Sequence, residues 1–120
     1  TIKDSVGKMA AVFETSFVKN VGSTEQTLYT APAGLTGRHL IVSMMTTNIF
    51  GSALPITVKL VRGSDIIYMA FNKRILPNDT VDLLINNSKV MVEDGDLIKV
   101  SAPLDNAFSI IMTVVQEVET

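Results

Sequence analysis

The sequence predicts an all-β protein, an antiparallel β-sandwich of jelly-roll-like type with about eight to nine short strands. Three observations support this fold class. Runs in which apolar and polar side chains alternate recur along the chain. Turn-forming residues separate these runs at intervals of about 8–12 residues. No long stretch keeps the period of about 3.6 residues that an amphipathic helix would show.

The composition fits one folded domain, expected over residues 9–120. The chain has 120 residues, 47% of them apolar, and a net charge of −2. No basic excess points to nucleic acid, and no apolar run approaches the roughly 18 residues that span a membrane. No cysteine is present, so disulfides and thiolate metal sites are excluded. Residues 1–8 are polar and without a period, which leaves two interpretations, a frayed terminus or an arm ordered against a neighbouring subunit.

The first strand is expected within residues 9–19, where Phe13, Thr15 and Phe17 would share one face. A helix is the alternative, because Met-Ala-Ala-Val-Phe-Glu contains good helix formers. A short strand over residues 26–30 then ends at a corner. Proline fixes its own φ and favours an extended conformation for the preceding residue, and Gly34 can take the positive φ that reverses the chain.

The longest run, residues 38–49, has two largely apolar faces. Leu40, Val42 and Met44 would lie on one face, and His39, Ile41, Ser43 and Met45 on the other. This pattern predicts a central strand between two covering layers, or one that faces a partner. The break after it contains Phe50, which either caps the core or lies exposed.

The remaining runs predict a hairpin and four further strands. The hairpin joins residues 56–62 to a strand over 66–72, with Ile67, Met69 and Phe71 on one face. The further strands are expected at residues 80–85, 89–92, 97–102 and 107–119. In the last of these, Phe108, Ile110, Met112, Val114 and Val118 form an apolar stripe.

No catalytic or cofactor-binding residues are assigned. The only histidine, His39, is interpreted as a structural or surface residue, because a hydrolytic triad or a metal site would lack the partners it needs. Three carboxylates in the turn at residues 93–96 could bind Ca²⁺. A solvated turn explains them better, since Asp and Gly are turn formers, and no metal site is assigned.

A carbohydrate site would need exposed aromatic side chains. The chain has no tryptophan and two tyrosines, Tyr29 and Tyr68, and each is more simply a strand residue with its hydroxyl at the rim. A glycan partner is therefore only weakly supported.

Two stretches carry a resemblance to a known family. Tyr-Thr-Ala-Pro-Ala-Gly at residues 29–34 precedes the long β-run, and Glu-Asp-Gly-Asp-Leu-Ile at residues 93–98 lies near the end. Over residues 26–118 the chain resembles the small β-sandwich structural proteins of tailed bacteriophage virions. One departure is that Leu-Thr-Gly stands between Gly34 and the basic residue Arg38, so the corner is longer than in that pattern.

The resemblance implies a non-enzymatic virion protein that is made in the host cytoplasm. Of the proteins in that group, a decoration or cement protein is favoured, which binds the major capsid protein on the outer surface of the shell. The resemblance also implies a homo-oligomer, with a trimer favoured. A neck, baseplate or tail-fibre protein of the same fold is one alternative, and a carbohydrate-binding module for host attachment is another. The expected interface residues are Thr1, Ile2, Lys3, Asp4 and Phe50. No cofactor, nucleic acid or membrane partner is expected.

Overall fold

The computed structural model describes residues 9–34, 38–84 and 88–119, and these ranges contain nine β-strands. The strands are β1 (Met9–Val21), β2 (Gln26–Thr30), β3 (Arg38–Asn48), β4 (Leu54–Arg62), β5 (Asp65–Ile75), β6 (Thr80–Asp82), β7 (Val90–Val92), β8 (Leu97–Ser101) and β9 (Phe108–Glu119). The first strand is extended as predicted, not helical. Within the described ranges, no helix has the length and apolar character needed to cross a membrane.

The strands form two antiparallel sheets. Sheet 1 has the order β1-β9-β3-β6, with β7 also paired to β3, and sheet 2 has the order β2-β8-β4-β5. The chain changes sheets at most connections, and only β4–β5 and β6–β7 remain within one sheet. Connections that cross between sheets are typical of β-sandwiches. The predicted antiparallel β-sandwich is confirmed, as is the β4–β5 hairpin.

The core lies between the two sheets and is almost entirely aliphatic. Phe108 on β9 is the largest of the side chains that are fully buried. The other large apolar side chains that are fully buried are Val21, Ile41, Met44, Ile56, Val58, Ile75, Ile98, Val100, Ile110, Met112 and Val114. They come from both sheets, as interdigitated packing of two inner faces requires. The predicted stripe on β9 is confirmed from Phe108 to Val114.

A β-bulge in β3 explains why both of its faces look apolar. The pairing with β9 shifts between Ile41 and Ser43, so Val42 is an extra residue. Before the bulge, His39 and Ile41 are buried, and after it Met44, Thr46 and Asn48 are buried. The predicted faces were therefore wrong, because one inserted residue changes the phase of the alternation.

The structure also corrects the predicted face of β5. Register shifts around Val58 interrupt the pairing of β4 with β5. As a result the Phe71 ring packs edge-to-face on Tyr68, with ring centroids 4.7 Å apart. Phe71 therefore does not continue the face of Ile67. The predicted strand at residues 80–85 ends at Asp82, because Leu83 and Leu84 both turn into the core.

The bulge predicts that substitutions at neighbouring positions of β3 lower the free energy of unfolding by different amounts. Ile41→Ala and Met44→Ala should each lower the free energy of unfolding by about 2–5 kcal/mol, because each leaves a cavity in the core. Met45→Ala should change it by less than about 0.5 kcal/mol, since Met45 lies on the outer face. Urea denaturation of dilute protein measures all three, and equal costs for Met44 and Met45 would contradict the register.

Candidate interaction surfaces

The two stretches that carry the sequence resemblance are in direct contact. Strand β2 pairs with β8, and the backbone N–H of Ala31 donates to the carbonyl of Asp96 at 2.8 Å. The N–H of Gly95 donates to the carbonyl of Ala31, and the N–H of Gly34 donates to Asp94 Oδ2 at 2.9 Å. Gly34 and Gly95 have φ values of 71° and 78°, which favour glycine. The two motifs thus form one corner.

Asp96 is the buried centre of this corner. Its carboxylate is fully buried and accepts hydrogen bonds from Arg62 Nε at 3.1 and 3.2 Å and from Arg62 Nη2 at 2.8 Å. The N–H of Glu93 donates to Asp96 Oδ2 at 2.8 Å. Arg62 also donates to the carbonyl of Met91 and lies 3.3 Å from Glu93 Oε2. One carboxylate therefore joins the β7–β8 turn to the end of β4.

These contacts decide the ionisation of Asp96. Burial alone would raise the pKa of Asp96, but the hydrogen bonds from Arg62 and the Glu93 N–H, together with the Arg62 charge, outweigh burial and lower it. Asp96 is therefore held as a carboxylate inside the corner.

Each carboxylate of the turn at residues 93–96 contacts another group of the protein. Asp96 and Glu93 contact Arg62, and Asp94 accepts from Gly34. Among the described residues, no group of three or more potential ligands could hold a metal ion. The turn is thus part of the corner, and its carboxylates are directed to protein groups.

His39 and Tyr29 are buried in the sandwich. Neither ring nitrogen of His39 has a hydrogen-bond partner among the described residues, so no triad forms around it there. The Tyr29 hydroxyl is buried without a partner among these residues, and burial, followed by the charge of Glu14, raises its pKa. The prediction that the Tyr29 hydroxyl lies at the rim was wrong, and this ring cannot serve as an exposed platform for a sugar.

Phe50 is exposed, and it lies at the end of the sandwich opposite the Asp96 corner. Asn48 shapes its loop: the side-chain nitrogen donates to the carbonyls of Ser52 and Ile75, and Oδ1 accepts from the Phe50 N–H. Ile49 of the same loop is also exposed, as are Leu76 and Leu104 in two neighbouring segments that backbone hydrogen bonds join to residues 48 and 49. We refer to these four residues as the loop end. The other predicted interface residues, Thr1, Ile2, Lys3 and Asp4, lie outside the described residues.

The outer face of sheet 1 is the second exposed apolar surface. Cross-strand pairs place Phe13, Val115, Leu40 and Met91 in one row and Phe17, Ile111 and Met45 in another. Thr15, Thr113 and Ser43 form the row between them. We refer to these ten residues as the apolar face, and none of them is charged. A shallow depression of about 160 Å³ adjoins Phe17 and Met45.

The outer face of sheet 2 has a different character. Lys59 and Lys99 are cross-strand neighbours there, and both form ion pairs with Glu25. The exposed Tyr68–Phe71 pair lies on the edge strand beside them. A charged face of this kind is stable in water, whereas an uncharged apolar face is a common feature of a protein–protein contact.

Sequence reasoning missed the apolar face and three members of the loop end. The one sequence pattern that indicated the apolar face was the alternation in residues 9–19, which placed Phe13 and Phe17 on the same side of the strand. The strand order that sets β9 and β3 beside them could not be read from the same pattern.

Comparison with known proteins gives a fold and no family. No family model matches the chain, and no curated protein does. Its structure is similar to a solved structure described as "Bacillus endospore appendages form a novel family of disulfide-linked pili", with a TM-score of 0.55, 12% identity, and coverage of 93% of this chain and 92% of that one. At this identity the similarity establishes the fold alone.

A weaker similarity is to a pentameric capsid protein isolated from metagenomic phage sequences. Its TM-score is 0.43, with 15% identity and coverage of 86% of this chain. The chain spans about 60% of the length of that capsid protein.

The Asp96 corner predicts a specific loss of stability. Asp96→Asn should lower the free energy of unfolding by about 2 kcal/mol, less than for a fully buried ion pair because Arg62 is partly exposed. Asp65→Asn, at an exposed carboxylate of β5, is the matched control and should have little effect. Thermal and urea unfolding measure both, and equal effects would contradict the role of the corner.

The pKa of Asp96 predicts a pH dependence. Its folded pKa lies below the ordinary value of 3.8, so its contribution is fully present above that pH and is lost as the pH falls through the folded pKa. The stability difference between the wild type and Asp96→Asn should therefore shrink as the pH falls below about 4. Asp105, whose pKa the Ser23 N–H and hydroxyl lower, contributes equally to both proteins. A constant difference down to acid unfolding would contradict this assignment.

Proposed function

We propose that this chain is a non-enzymatic structural protein of a bacteriophage virion, a jelly-roll subunit that decorates or cements the outer surface of the capsid shell. The observation that carries the proposal is that one small sandwich exposes two separate apolar surfaces, the apolar face and the loop end. Large apolar patches on a soluble domain mark contacts with other proteins. A subunit that joins its own copies and also binds a shell needs two such surfaces.

The sequence resemblance of the two stretches that form the Asp96 corner also supports a role in a virion. The Tyr-Thr-Ala-Pro-Ala-Gly and Glu-Asp-Gly-Asp-Leu-Ile stretches resemble those of small virion proteins, and here they meet around Asp96. This contact joins the end of β2, the end of β4 and the β7–β8 turn at one end of the sandwich. The opposite end is left to present Phe50 on a loop that Asn48 holds in place.

The loop end is the surface that we assign to the capsid shell. Phe50, Ile49, Leu76 and Leu104 present apolar side chains from connections, not from strands. Connections can vary without disturbing the core and therefore often carry recognition. The major capsid protein is the partner that this assignment names, and residues 1–8 would add a second contact with it or with a neighbouring copy.

Two other functions remain as alternatives. A neck, baseplate or tail-fibre protein would use the same surfaces at a lower copy number. A carbohydrate-binding module would use the exposed Tyr68–Phe71 pair, because sugars bind on exposed aromatic rings. The nearby Lys59 and Glu25 could supply polar contacts, although they already bind each other. A disulfide-linked assembly does not fit, because the chain has no cysteine.

Copy number in the virion tests the proposal. Quantitative mass spectrometry of purified particles of the phage that encodes this sequence should give on the order of hundreds of copies per particle, as a symmetric shell requires. About a dozen copies or fewer would overturn decoration and favour the neck or tail. Absence from the particle would overturn a virion role altogether.

Binding to shells tests the assigned surface. Phe50→Ser should weaken binding to purified capsid shells at least about tenfold, because an apolar anchor is lost. Phe71→Ser, at an exposed aromatic residue of sheet 2, is the control and should bind normally. Co-sedimentation measures both, and the reverse order of effects would contradict the loop end as the shell contact.

A further inference from the structure

We propose that the apolar face of sheet 1 is the contact between two copies of this chain, related by a two-fold axis that passes over Thr113. This inference rests on the proposed assembly role and names the partner of one of its surfaces. The pairing is face to face, so two sandwiches would stack with their sheets about 10 Å apart.

The pattern of the face is self-complementary. Thr113 lies at the centre, paired with Thr15 on one side and Ser43 on the other. The apolar rows lie two residues away along β1 and β9, about 7 Å to either side of this centre. A two-fold axis in the plane of the contact, along β9 or across it, therefore places apolar rows on apolar rows and the hydroxyl row on itself.

The hydroxyl row fits a contact with its own copy. A row that faces itself needs groups that both donate and accept, because each group meets its own kind. Hydroxyls of Thr15, Thr113 and Ser43 do both, whereas an ammonium only donates and a carboxylate only accepts. The row can therefore make hydrogen bonds across the axis that a charged row could not.

The exposed area matches a two-fold contact. Five side chains are between two fifths and seven tenths exposed: Phe13 at 69%, Phe17 at 64%, Met91 at 51%, Met45 at 48% and Ile111 at 43%. With about 200 Å² for each large side chain, they expose about 550 Å² of apolar surface. The hydroxyl row, Leu40 and Val115 add to this, which brings the face close to the roughly 800 Å² that each partner of a stable complex buries.

The absence of charge favours a second copy over other partners. Nucleic acids and anionic lipids attract basic residues, and none of the ten residues of the apolar face is basic. Contacts between identical subunits are more apolar than contacts between proteins that also exist apart.

Charged residues lie only around the edge of the face. Asp82 pairs with Met45 at the end of one row, and its Oδ1 already accepts the N–H groups of Met44 and Leu84. Arg38 and Glu117 are cross-strand partners in the row beyond Leu40, and Lys19 lines the depression beside Phe17.

This contact joins copies in pairs, which differs from the trimer that the sequence resemblance favours. A closed two-fold contact uses the same patch on both copies and leaves no patch for a third. The loop end and the outer face of sheet 2 remain outside the contact.

Charge exchange at the axis tests the pairing. The wild type should be a dimer at micromolar concentration in sedimentation velocity and light scattering. Thr113→Glu and Thr113→Lys should each weaken self-association at least about 100-fold, because two like charges would meet at the axis. An equimolar mixture of the two variants should restore a dimer that contains one chain of each variant, because opposite charges then meet.

Thr27→Glu and Thr27→Lys on sheet 2 are the matched controls and should remain dimeric, and circular dichroism should show an intact fold in all four variants. A monomeric or trimeric wild type, or dimers that survive in both Thr113 variants, would overturn the pairing. A monomeric wild type whose binding to capsid shells is lost in both Thr113 variants would assign the face to the shell and also overturn it. A dimer that is absent from virions would overturn the proposed function and leave the pairing standing.

Discussion

The buried carboxylate of Asp96 is the interaction on which one end of the sandwich depends. It lies in the turn before β8, and it receives Arg62 from the end of β4 and the N–H of Glu93 from its own turn. The backbone carbonyl of Asp96 binds Ala31 beyond the end of β2. Three segments that are far apart in the sequence are thereby fixed around one charge, and the opposite end, held by Asn48, carries the exposed apolar side chains of the loop end.

The outer faces of the two sheets carry different kinds of side chain. In sheet 2 the middle strands carry Lys59 and Lys99, and Glu25 forms an ion pair with each of them. In sheet 1 the middle strands carry Thr113, Ser43 and aliphatic side chains at the corresponding outward positions. An antiparallel sandwich needs only its inner faces to be apolar. The apolar residues on the outside of sheet 1 therefore contribute nothing to the core, and an association between molecules is the physical reason that we propose for them.

The fold class could be predicted because it depends on local alternation and on turn residues such as Pro32 and Gly34. The phase of β3 could not, because the bulge at Val42 moves the buried set from Ile41 to Met44 and leaves no mark in the composition. The contact of Tyr68 with Phe71 was hidden by register shifts of the same kind. The partner of Asp96 was also hidden, since Arg62 is far from it in the sequence and only the β4–β8 pairing brings them together. An exposed Phe50 was one of the two expectations for that residue. Its neighbours Leu76 and Leu104 could not be predicted, because the fold brings their connections beside it from distant parts of the sequence.

Methionine oxidation would test the central claim, that the apolar face is covered when the protein functions and the outer face of sheet 2 is not. Met45 and Met91 lie on the apolar face, and thioethers in contact with solvent are readily oxidised. Brief exposure to hydroxyl radicals, which modify both methionine and tyrosine side chains, should be read by peptide mass spectrometry at increasing protein concentration. Both methionines should become protected while Tyr68 on sheet 2 continues to react. Equal reactivity of Met45 and Met91 in dilute and concentrated protein, and in assembled particles, would contradict the account.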